Sequence, residues 1–327
     1  MLPPEWPDLA AQAGGSGWLG IEHCGCDRAR LLLDGKSFRE IESNCWDAPR
    51  RLTECDADGV GAQVLSTVPV MFMYQQSATH ALALHRYLND HLATVVRSAP
   101  TRFAALGCVP MQDPDLATRE LERCVQDLGM RGVQIGSNIA GVNLDDRRFF
   151  PFFRRCAELN AGVFIHPWNM LGQSELPKYW LPWLVGMPAE TARAACALMM
   201  GGVLERLPTL RVCLAHGGGS LPFTIGRIAH GFDERPDLCA VDCDVSPQTQ
   251  FSRFYFDTLV HDAEALRFLI ARAGVARLAL GSDYPFPLGE RHPGALIRSL
   301  KLDARDETRL LRGTALEFLG LPEKPFA

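Results

Sequence analysis

Three polar side chains stand where apolar runs end, and their types suit metal chemistry. His166 closes the run Gly-Val-Phe-Ile-His, His216 closes Val-Cys-Leu-Ala-His, and Asp283 closes Leu-Ala-Leu-Gly-Ser-Asp. Two imidazoles and a carboxylate together suit a borderline divalent ion, zinc above all. A single histidine at such a place is often a hydrogen-bonded structural residue. Three such residues, each followed by a loop rich in Gly or Pro, favour a metal site.

The elements that must position these residues alternate between two patterns. Short apolar segments bounded by turn residues predict seven buried strands, at residues 61–67, 102–109, 132–136, 162–166, 211–216, 253–257 and 277–283. Helical patterns lie between and beside them, at residues 47–58, 78–98, 114–128, 145–160, 188–206, 221–229, 262–274 and 306–319. This alternation predicts a parallel sheet covered by helices on its faces. No linker interrupts it, so we expect one domain over residues 1–327.

Both a (β/α)₈ barrel and a doubly wound flat sheet fit the alternation, and the polar residues separate them. In a barrel the carboxyl ends of all strands converge on one face, where active sites are built. In a flat sheet, strand ends so distant in sequence would seldom meet, so we expect a barrel. Residues 12–45 predict a small antiparallel insertion, because an Asp34–Gly35 turn lies between two apolar runs. A barrel needs eight strands, so the first is expected to precede Met1.

Composition and charge exclude several other classes of protein. The chain has 327 residues, of which 47% are hydrophobic and 22% charged, as expected for a large folded core. Its formal net charge of −5 leaves no basic footprint for nucleic acid. No run is long and apolar enough for a membrane span, and the first ten residues carry no secretion signal. Eleven scattered cysteines fit free thiols, so we expect a cytoplasmic protein that binds neither nucleic acid nor membrane.

Several longer runs resemble a known family. They are residues 44–47 (NCWD), 65–72 (LSTVPVMF), 132–136 (GVQIG), 166–168 (HPW), 179–190 (YWLPWLVGMPAE), 216–219 (HGGG) and 281–290 (GSDYPFPLGE). Together they are similar to the amidohydrolase-superfamily decarboxylases over nearly the whole chain. The resemblance implies a distorted (β/α)₈ TIM barrel of amidohydrolase type, one zinc ion per subunit and a homodimer. It also implies a lyase that removes carbon dioxide from a dicarboxylate of tryptophan (kynurenine) catabolism.

Position by position, the resemblance implies that His166 and Asp283 bind the metal and that His216 is the general acid/base. In this family a first strand ending in His-x-His supplies two further zinc ligands, and that strand is expected to be missing from this chain. Either the start is assigned at an internal methionine, or the chain is a truncated form. Protein made from Met1 is therefore expected to be poorly soluble, zinc-poor and inactive. An added Met-Lys-Ile-Asp-Ile-His-Ser-His segment is expected to restore all three properties.

The resemblance also implies residues that hold the substrate. Arg39 and Arg227 correspond to arginines that grip its carboxylates, and Arg227 is implied to reach into the neighbouring subunit's site. A guanidinium suits this role because it binds a planar carboxylate through two parallel hydrogen bonds. Trp180 and Phe286 correspond to aromatic walls of the pocket. The alternatives are a surface ion pair for each arginine and simple core packing for each aromatic ring.

Two other functions remain open on the sequence. One is a metal-dependent hydrolase of the same superfamily that acts on a lactone or an amide. The other is a pseudoenzyme that serves only as a dimer partner. The remaining histidines are expected to lie outside the site, with those in the helical pattern of residues 78–98 facing solvent and the rest away from strand ends: His80, His85 and His91, then His23, His230, His261 and His292.

Overall fold

The computed structural model describes residues 1–322 and 326, with only the backbone described for residues 10 and 12. The strands are β1 Leu19–His23, β2 Arg28–Leu33, β3 Lys36–Glu42, β4 Gln63–Leu65, β5 Phe103–Ala105, β6 Gly132–Gly136, β7 Gly162–His166, β8 Arg211–Leu214, β9 Tyr255–Asp257 and β10 Leu278–Ala279. The helices are α1 Leu9–Ala13, α2 Ala48–Ala57, α3 Ala78–Ser98, α4 Pro114–Glu122, α5 Phe150–Glu158, α6 Met187–Met200, α7 Val203–Arg206, α8 Leu221–Glu234, α9 Pro236–Cys239, α10 Pro247–Phe251, α11 Ala263–Ala273, α12 Ala295–Ser299, α13 Ala304–Thr308 and α14 Thr314–Leu319.

Seven parallel strands, β4 to β10, lie side by side in the order in which the chain makes them. Strand β4 pairs with β5, and a parallel bridge between Gly107 and Val133 joins β5 to β6. From β6 to β10 each strand pairs with the next. The predicted α/β fold is confirmed, and this order is that of a TIM barrel. Among the described residues no strand links β10 back to β4, so the sheet has a seam between these two strands.

The strands at the seam are shorter than predicted. Strands β6 and β7 match the predicted residues 132–136 and 162–166, but β4 has three residues and β10 only two. Strand β4 pairs only with β5, and β10 only with β9. A strand is defined by the hydrogen bonds of its ladder, and the ladder of β10 ends at residue 279; strand β5, which has partners on both sides, is likewise short at Phe103–Ala105. The prediction that a strand covers residues 277–283 is therefore wrong beyond residue 279.

The small sheet β1–β2–β3 forms the antiparallel insertion predicted for residues 12–45. Asp34 and Gly35 have φ angles of +50° and +72°, as expected for a two-residue hairpin turn between β2 and β3. Leu31 and Ile41 bury their side chains under this sheet. Arg39 stands on β3 opposite Leu31. The insertion therefore carries a guanidinium on a paired strand rather than on a free loop.

The parallel sheet separates an apolar outer layer from an interior cavity. Alternate strand residues pack against the surrounding helices, among them Val133, Ile135, Val163 and Ile165, all fully buried. The residues between them line a cavity of about 290 Å³ inside the curved sheet: Gln134, Phe164 and Cys213. This cavity also touches Leu65 of β4 and Leu280 after β10, so it opens toward the seam. Within the described residues, none of the helices has the length and apolar character that a membrane crossing requires.

Candidate metal centre and its pocket

His166, His216 and Asp283 meet at the carboxyl end of the parallel sheet. His166 is the last residue of β7, His216 follows β8 by two residues, and Asp283 follows β10 by four. One ligand atom from each of the three lies within 4.8 Å of the others. The two imidazole rings are edge to face, with centroids 4.8 Å apart. The structure thus brings together the three residues singled out in the sequence, which we call the donor cluster.

His166 is held in the form that binds metals. Its Nδ1 lies 3.0 Å from the carbonyl oxygen of Pro167, so we assign the ring proton to Nδ1 as the donor of this hydrogen bond. Nε2 is then the nitrogen with a free lone pair. Burial, together with the nearby His216, lowers the pKa of His166 to about 3. The ring is therefore neutral near pH 7, as a metal ligand must be.

Asp283 lies on a loop rather than at a strand end, which corrects the prediction. The residue has a φ of +49°, and its carbonyl oxygen accepts a hydrogen bond from the amide of Phe286 at 2.9 Å. The next residue, Tyr284, donates its hydroxyl to Glu54 of α2. Burial raises the pKa of Asp283, and His216 opposes that shift. The loop thus holds a half-buried carboxylate whose charge favours a nearby cation.

The donor cluster forms one end of a pocket of about 430 Å³. Most of its wall is apolar, with aromatic rings from Phe38, Trp168, Trp180, Trp183 and Phe286. The predicted wall residues Trp180 and Phe286 are both there. Such a pocket suits a flat unsaturated ligand that presents its polar groups to a few fixed points.

Arg39 and His261 are the other charged or titratable residues on this wall. The guanidinium carbon of Arg39 lies 5.1 Å from the ring centre of Phe286 and 5.6 Å from that of Phe38. Burial lowers the pKa of Arg39, and Asp283 opposes this shift. The structure therefore places Arg39 in the pocket, as the resemblance implied. His261 also lines the pocket, contrary to the expectation that it lies outside the site.

Arg227 is in a different place. It is exposed on α8 and is not among the residues that line the pocket of its own chain. Phe223, one turn earlier on the same face of α8, is 84% exposed. Within one chain the structure therefore separates Arg227 from the other predicted site residues.

Asp257 is a site residue that the sequence reasoning missed. It ends β9 and lies in the cavity wall beside His216. Burial raises its pKa, while His216 and three main-chain amides oppose the shift. The signal was present, since Asp257 closes the apolar run Phe-Tyr-Phe-Asp just as His166 closes its own run.

Comparison with known proteins finds an amidohydrolase family model and relatives that are named as decarboxylases. The amidohydrolase family model matches residues 40–321. The 2-amino-3-carboxymuconate-6-semialdehyde decarboxylase of Dictyostelium discoideum is 54% identical, with 98% of this chain and 90% of that protein aligned. The decarboxylase of the same name from Caenorhabditis elegans is 35% identical, over 99% of this chain and 93% of the relative.

Solved structures of decarboxylases share the fold. The crystal structure of 5-carboxyvanillate decarboxylase from Sphingomonas paucimobilis superposes with a TM-score of 0.77 at 28% identity, covering 84% of this chain and 83% of that one. The dihydroxybenzoic acid decarboxylase from Polaromonas, solved with bound manganese, gives 0.77 at 26% identity, covering 87% and 90%. The chain therefore belongs to the amidohydrolase family, among the members of that family that are decarboxylases.

Proposed function

We propose that this enzyme uses zinc to convert 2-amino-3-carboxymuconate 6-semialdehyde into 2-aminomuconate 6-semialdehyde and carbon dioxide, a step of tryptophan catabolism through the kynurenine pathway. The observation that carries the proposal is the donor cluster, with ligand atoms within 4.8 Å of each other, beside Arg39 in an aromatic pocket. Two relatives aligned along nearly the whole chain bear the name of this decarboxylase, which supports the choice of substrate.

The residues present fit a divalent metal ion. Asp283 offers a half-buried carboxylate, and His166 offers a neutral ring whose other nitrogen is already hydrogen-bonded. A carboxylate with imidazole nitrogens is a donor set that zinc and manganese both accept. We assign His166 and Asp283 as two of the protein ligands. When bound, such an ion supplies a Lewis acid that lowers the pKa of a coordinated water.

His216 is the residue placed to move a proton. Loss of carbon dioxide leaves an electron pair on carbon, and a proton must replace the carboxylate there. Imidazole is the group that most often takes up and returns a proton in general acid/base catalysis. The ring of His216 stands beside that of His166 and faces the same pocket. We therefore assign His216 as the general acid/base.

Arg39 and the aromatic walls orient the substrate. A guanidinium beside the pocket can hold one substrate carboxylate through paired hydrogen bonds, and this one is fixed on a strand. Trp180 and Phe286 flank the space in which a flat conjugated chain would lie. Arg39 would therefore hold a carboxylate that the substrate retains, while the other carboxylate faces the donor cluster.

We propose further that the working unit is a homodimer in which Arg227 reaches the partner's pocket. Arg227 and the highly exposed Phe223 share one face of α8, which supports a covered surface there.

All eleven cysteines are free, seven of them buried, which supports a reducing compartment such as the cytosol.

A turnover assay tests the proposed function. Purified protein that carries the added Met-Lys-Ile-Asp-Ile-His-Ser-His segment before Met1 is loaded with zinc, its metal content is measured, and it is given 2-amino-3-carboxymuconate 6-semialdehyde. The expected result is loss of the substrate with release of one carbon dioxide per molecule, and a strong reduction in His216→Ala. A zinc-loaded protein that leaves this substrate unchanged but releases acid from a lactone or an amide would replace the proposal with hydrolysis.

A further inference from the structure

The turn that carries His216 has a backbone that needs outside support. His216 has a φ of +56°, and Gly217, Gly218 and Gly219 follow with φ angles of +61°, +78° and +61°. Four consecutive residues in the left-handed region are unusual, and the first of them carries a side chain. The two hydrogen bonds inside the turn run from Gly218 to Ala215 and from Gly219 to His216. Short-range bonds of this kind leave the amides of His216 and Gly217 to other partners.

The carboxylate of Asp257 is that partner. Its Oδ2 accepts the amide hydrogen of His216 at 2.9 Å, and its Oδ1 accepts that of Gly217 at 2.8 Å. Oδ1 also accepts the amide hydrogen of Leu259 at 3.1 Å. Asp257 is itself 6% exposed and fixed on β9, between β8 and β10. One buried side chain thus ties the turn after β8 to the loop after β9.

The surroundings leave this carboxylate little freedom. A Cβ added at Gly281, after β10, would lie 2.6 Å from the Cβ of Asp257 and 2.8 Å from its Cγ. A Cβ at Gly217 would lie 2.5 Å from a methyl carbon of Val260. Gly281 is therefore required by close packing against Asp257 itself, and Gly217 by close packing against Val260. The hydrogen bonds from the turn after β8 and the loop after β9, with the close contact of Gly281 after β10, hold the side chain in place.

We propose that Asp257 is the positioning residue that aims the imidazole of His216 at His166 and Asp283. Asp257 does so through the main chain, because it binds two successive amides of the turn and so sets the direction of the Cα–Cβ bond of His216. The expected effect of Asp257 on turnover rests on the proposed function. The position of the His216 ring does not depend on that function and can be measured separately.

The first test uses NMR on protein with ring-labelled histidine. His216→Ala identifies the His216 resonance among the nine histidines. In Asp257→Asn one carboxylate oxygen becomes an NH₂ group, which cannot accept the main-chain amide hydrogen that the oxygen accepted. We therefore expect the His216 resonance to move. Gly281→Ala should move the same resonance by pushing Asp257 aside without changing its chemistry. The matched control is Gly61→Ala, since a Cβ there meets nothing within 4 Å. An unchanged His216 resonance in Gly281→Ala and Asp257→Asn would overturn the proposal.

The second test is a double-mutant cycle in kcat. We expect Asp257→Asn to lower kcat about 10- to 100-fold in the wild-type background and less than about threefold in the His216→Ala background, since residues that act as one unit are not additive. Equal losses in both backgrounds would show that Asp257 does not act through His216. Wild-type protein without decarboxylase activity would refute the proposed function alone, because the NMR result still decides the role of Asp257.

Discussion

Two polar clusters of this molecule, each built around a buried side chain, differ in how their charges are balanced. Glu120, on the outer helix α4, is fully buried and accepts hydrogen bonds from Asn89 at 2.8 Å, Arg123 at 2.8 Å and Arg86 at 3.1 Å. These four residues form what we call the Glu120 cluster. The hydrogen bonds that Arg123 donates to Glu120 raise the pKa of Arg123 far above its usual value. Every charge in this cluster has a partner, so the cluster is complete.

The donor cluster lacks such a balance. Burial raises the pKa of Asp283, and burial with a neighbouring imidazole lowers that of His166. Three groups with lone pairs face one another, and Arg39 beside them also lies in the pocket that admits a ligand. A structural cluster and a functional one therefore differ in the source of the balancing positive charge. In one cluster the protein supplies the cations, while in the other the arrangement suits a cation that arrives from outside.

Removing Asp283 or His166 as a donor should affect metal binding more strongly than any other change. Asp283→Asn and His166→Ala should each weaken metal binding by more than about 100-fold, because even the loss of an outer hydrogen-bond partner of a ligand costs 10- to 100-fold. Turnover should fall to background. Metal content after gel filtration, measured with turnover, checks both effects. Full zinc content in either variant would show that the residue is not a ligand.

Removing His216 should separate chemistry from metal binding. We expect His216→Ala to retain most of its metal but to lose 10²- to 10⁴-fold in kcat, the usual contribution of a general acid/base. Metal content and kcat are measured on the same preparation. Loss of the metal together with the histidine would instead make His216 a ligand.

The arginines should affect substrate binding without affecting the metal. Arg39→Ala removes a charged hydrogen bond, so kcat/KM should fall by about 1.5–3 kcal/mol, or roughly 10- to 150-fold. Arg30→Ala is the matched control, since Arg30 lies exposed on the neighbouring strand β2 beside Glu22 and Glu40. An equal loss in this control would remove the role of Arg39.

Arg227→Ala should resemble Arg39→Ala if a partner subunit uses it. Mixing Arg227→Ala with His216→Ala protein should then restore part of the activity, because a mixed dimer has one pocket with both residues intact. Subunit exchange is verified with differently tagged chains. Exchange without any recovery of activity would exclude a contribution across the dimer.

A change in the Glu120 cluster should lower stability and leave metal binding and turnover unchanged. Glu120→Gln removes charged hydrogen bonds, so the free energy of unfolding should fall by roughly 1.5–3 kcal/mol. Metal content and kcat should remain at wild-type values, since α4 lies outside the site. Denaturant unfolding and steady-state kinetics give the two readings. A large fall in kcat with stability unchanged would contradict the contrast between the clusters.

The smallest expected effect is a change in how stability depends on pH. His85 is buried on α3, where burial lowers its pKa to about 4. As pH falls below about 6.5, the unfolded chain takes up this proton first, so the free energy of unfolding decreases until about pH 4. One such group contributes at most about 1.4 kcal/mol per pH unit. In metal-free protein, His85→Gln should flatten the slope of stability against pH more than His80→Gln, an exposed neighbour on the same helix; equal slopes would refute this.

His85 also shows why part of the prediction from sequence failed. The helix over residues 78–98 is observed with those bounds, as Ala78–Ser98. The expectation that His85 faces solvent is wrong, because it shares a face with Ala81 and Leu88 and is fully buried. Its Nε2 donates to the carbonyl oxygen of Met71, 3.1 Å away. The partner that makes this burial tolerable lies 14 residues earlier, and no local pattern predicts it.

The strands β6 and β7 could be predicted to the residue, since each coincides with its apolar run. The residues of the donor cluster could likewise be predicted, since polar residues that follow the apolar runs of parallel strands lie at the same end of the sheet. The sequence alone thus determined the chemistry of the site and the layer that carries it. Tertiary structure decided the lengths of β4 and β10, the loop position of Asp283 and the support of His216 by Asp257. Each of these depends on a hydrogen bond or a close contact between segments far apart in the chain, and local sequence does not encode which segments will meet.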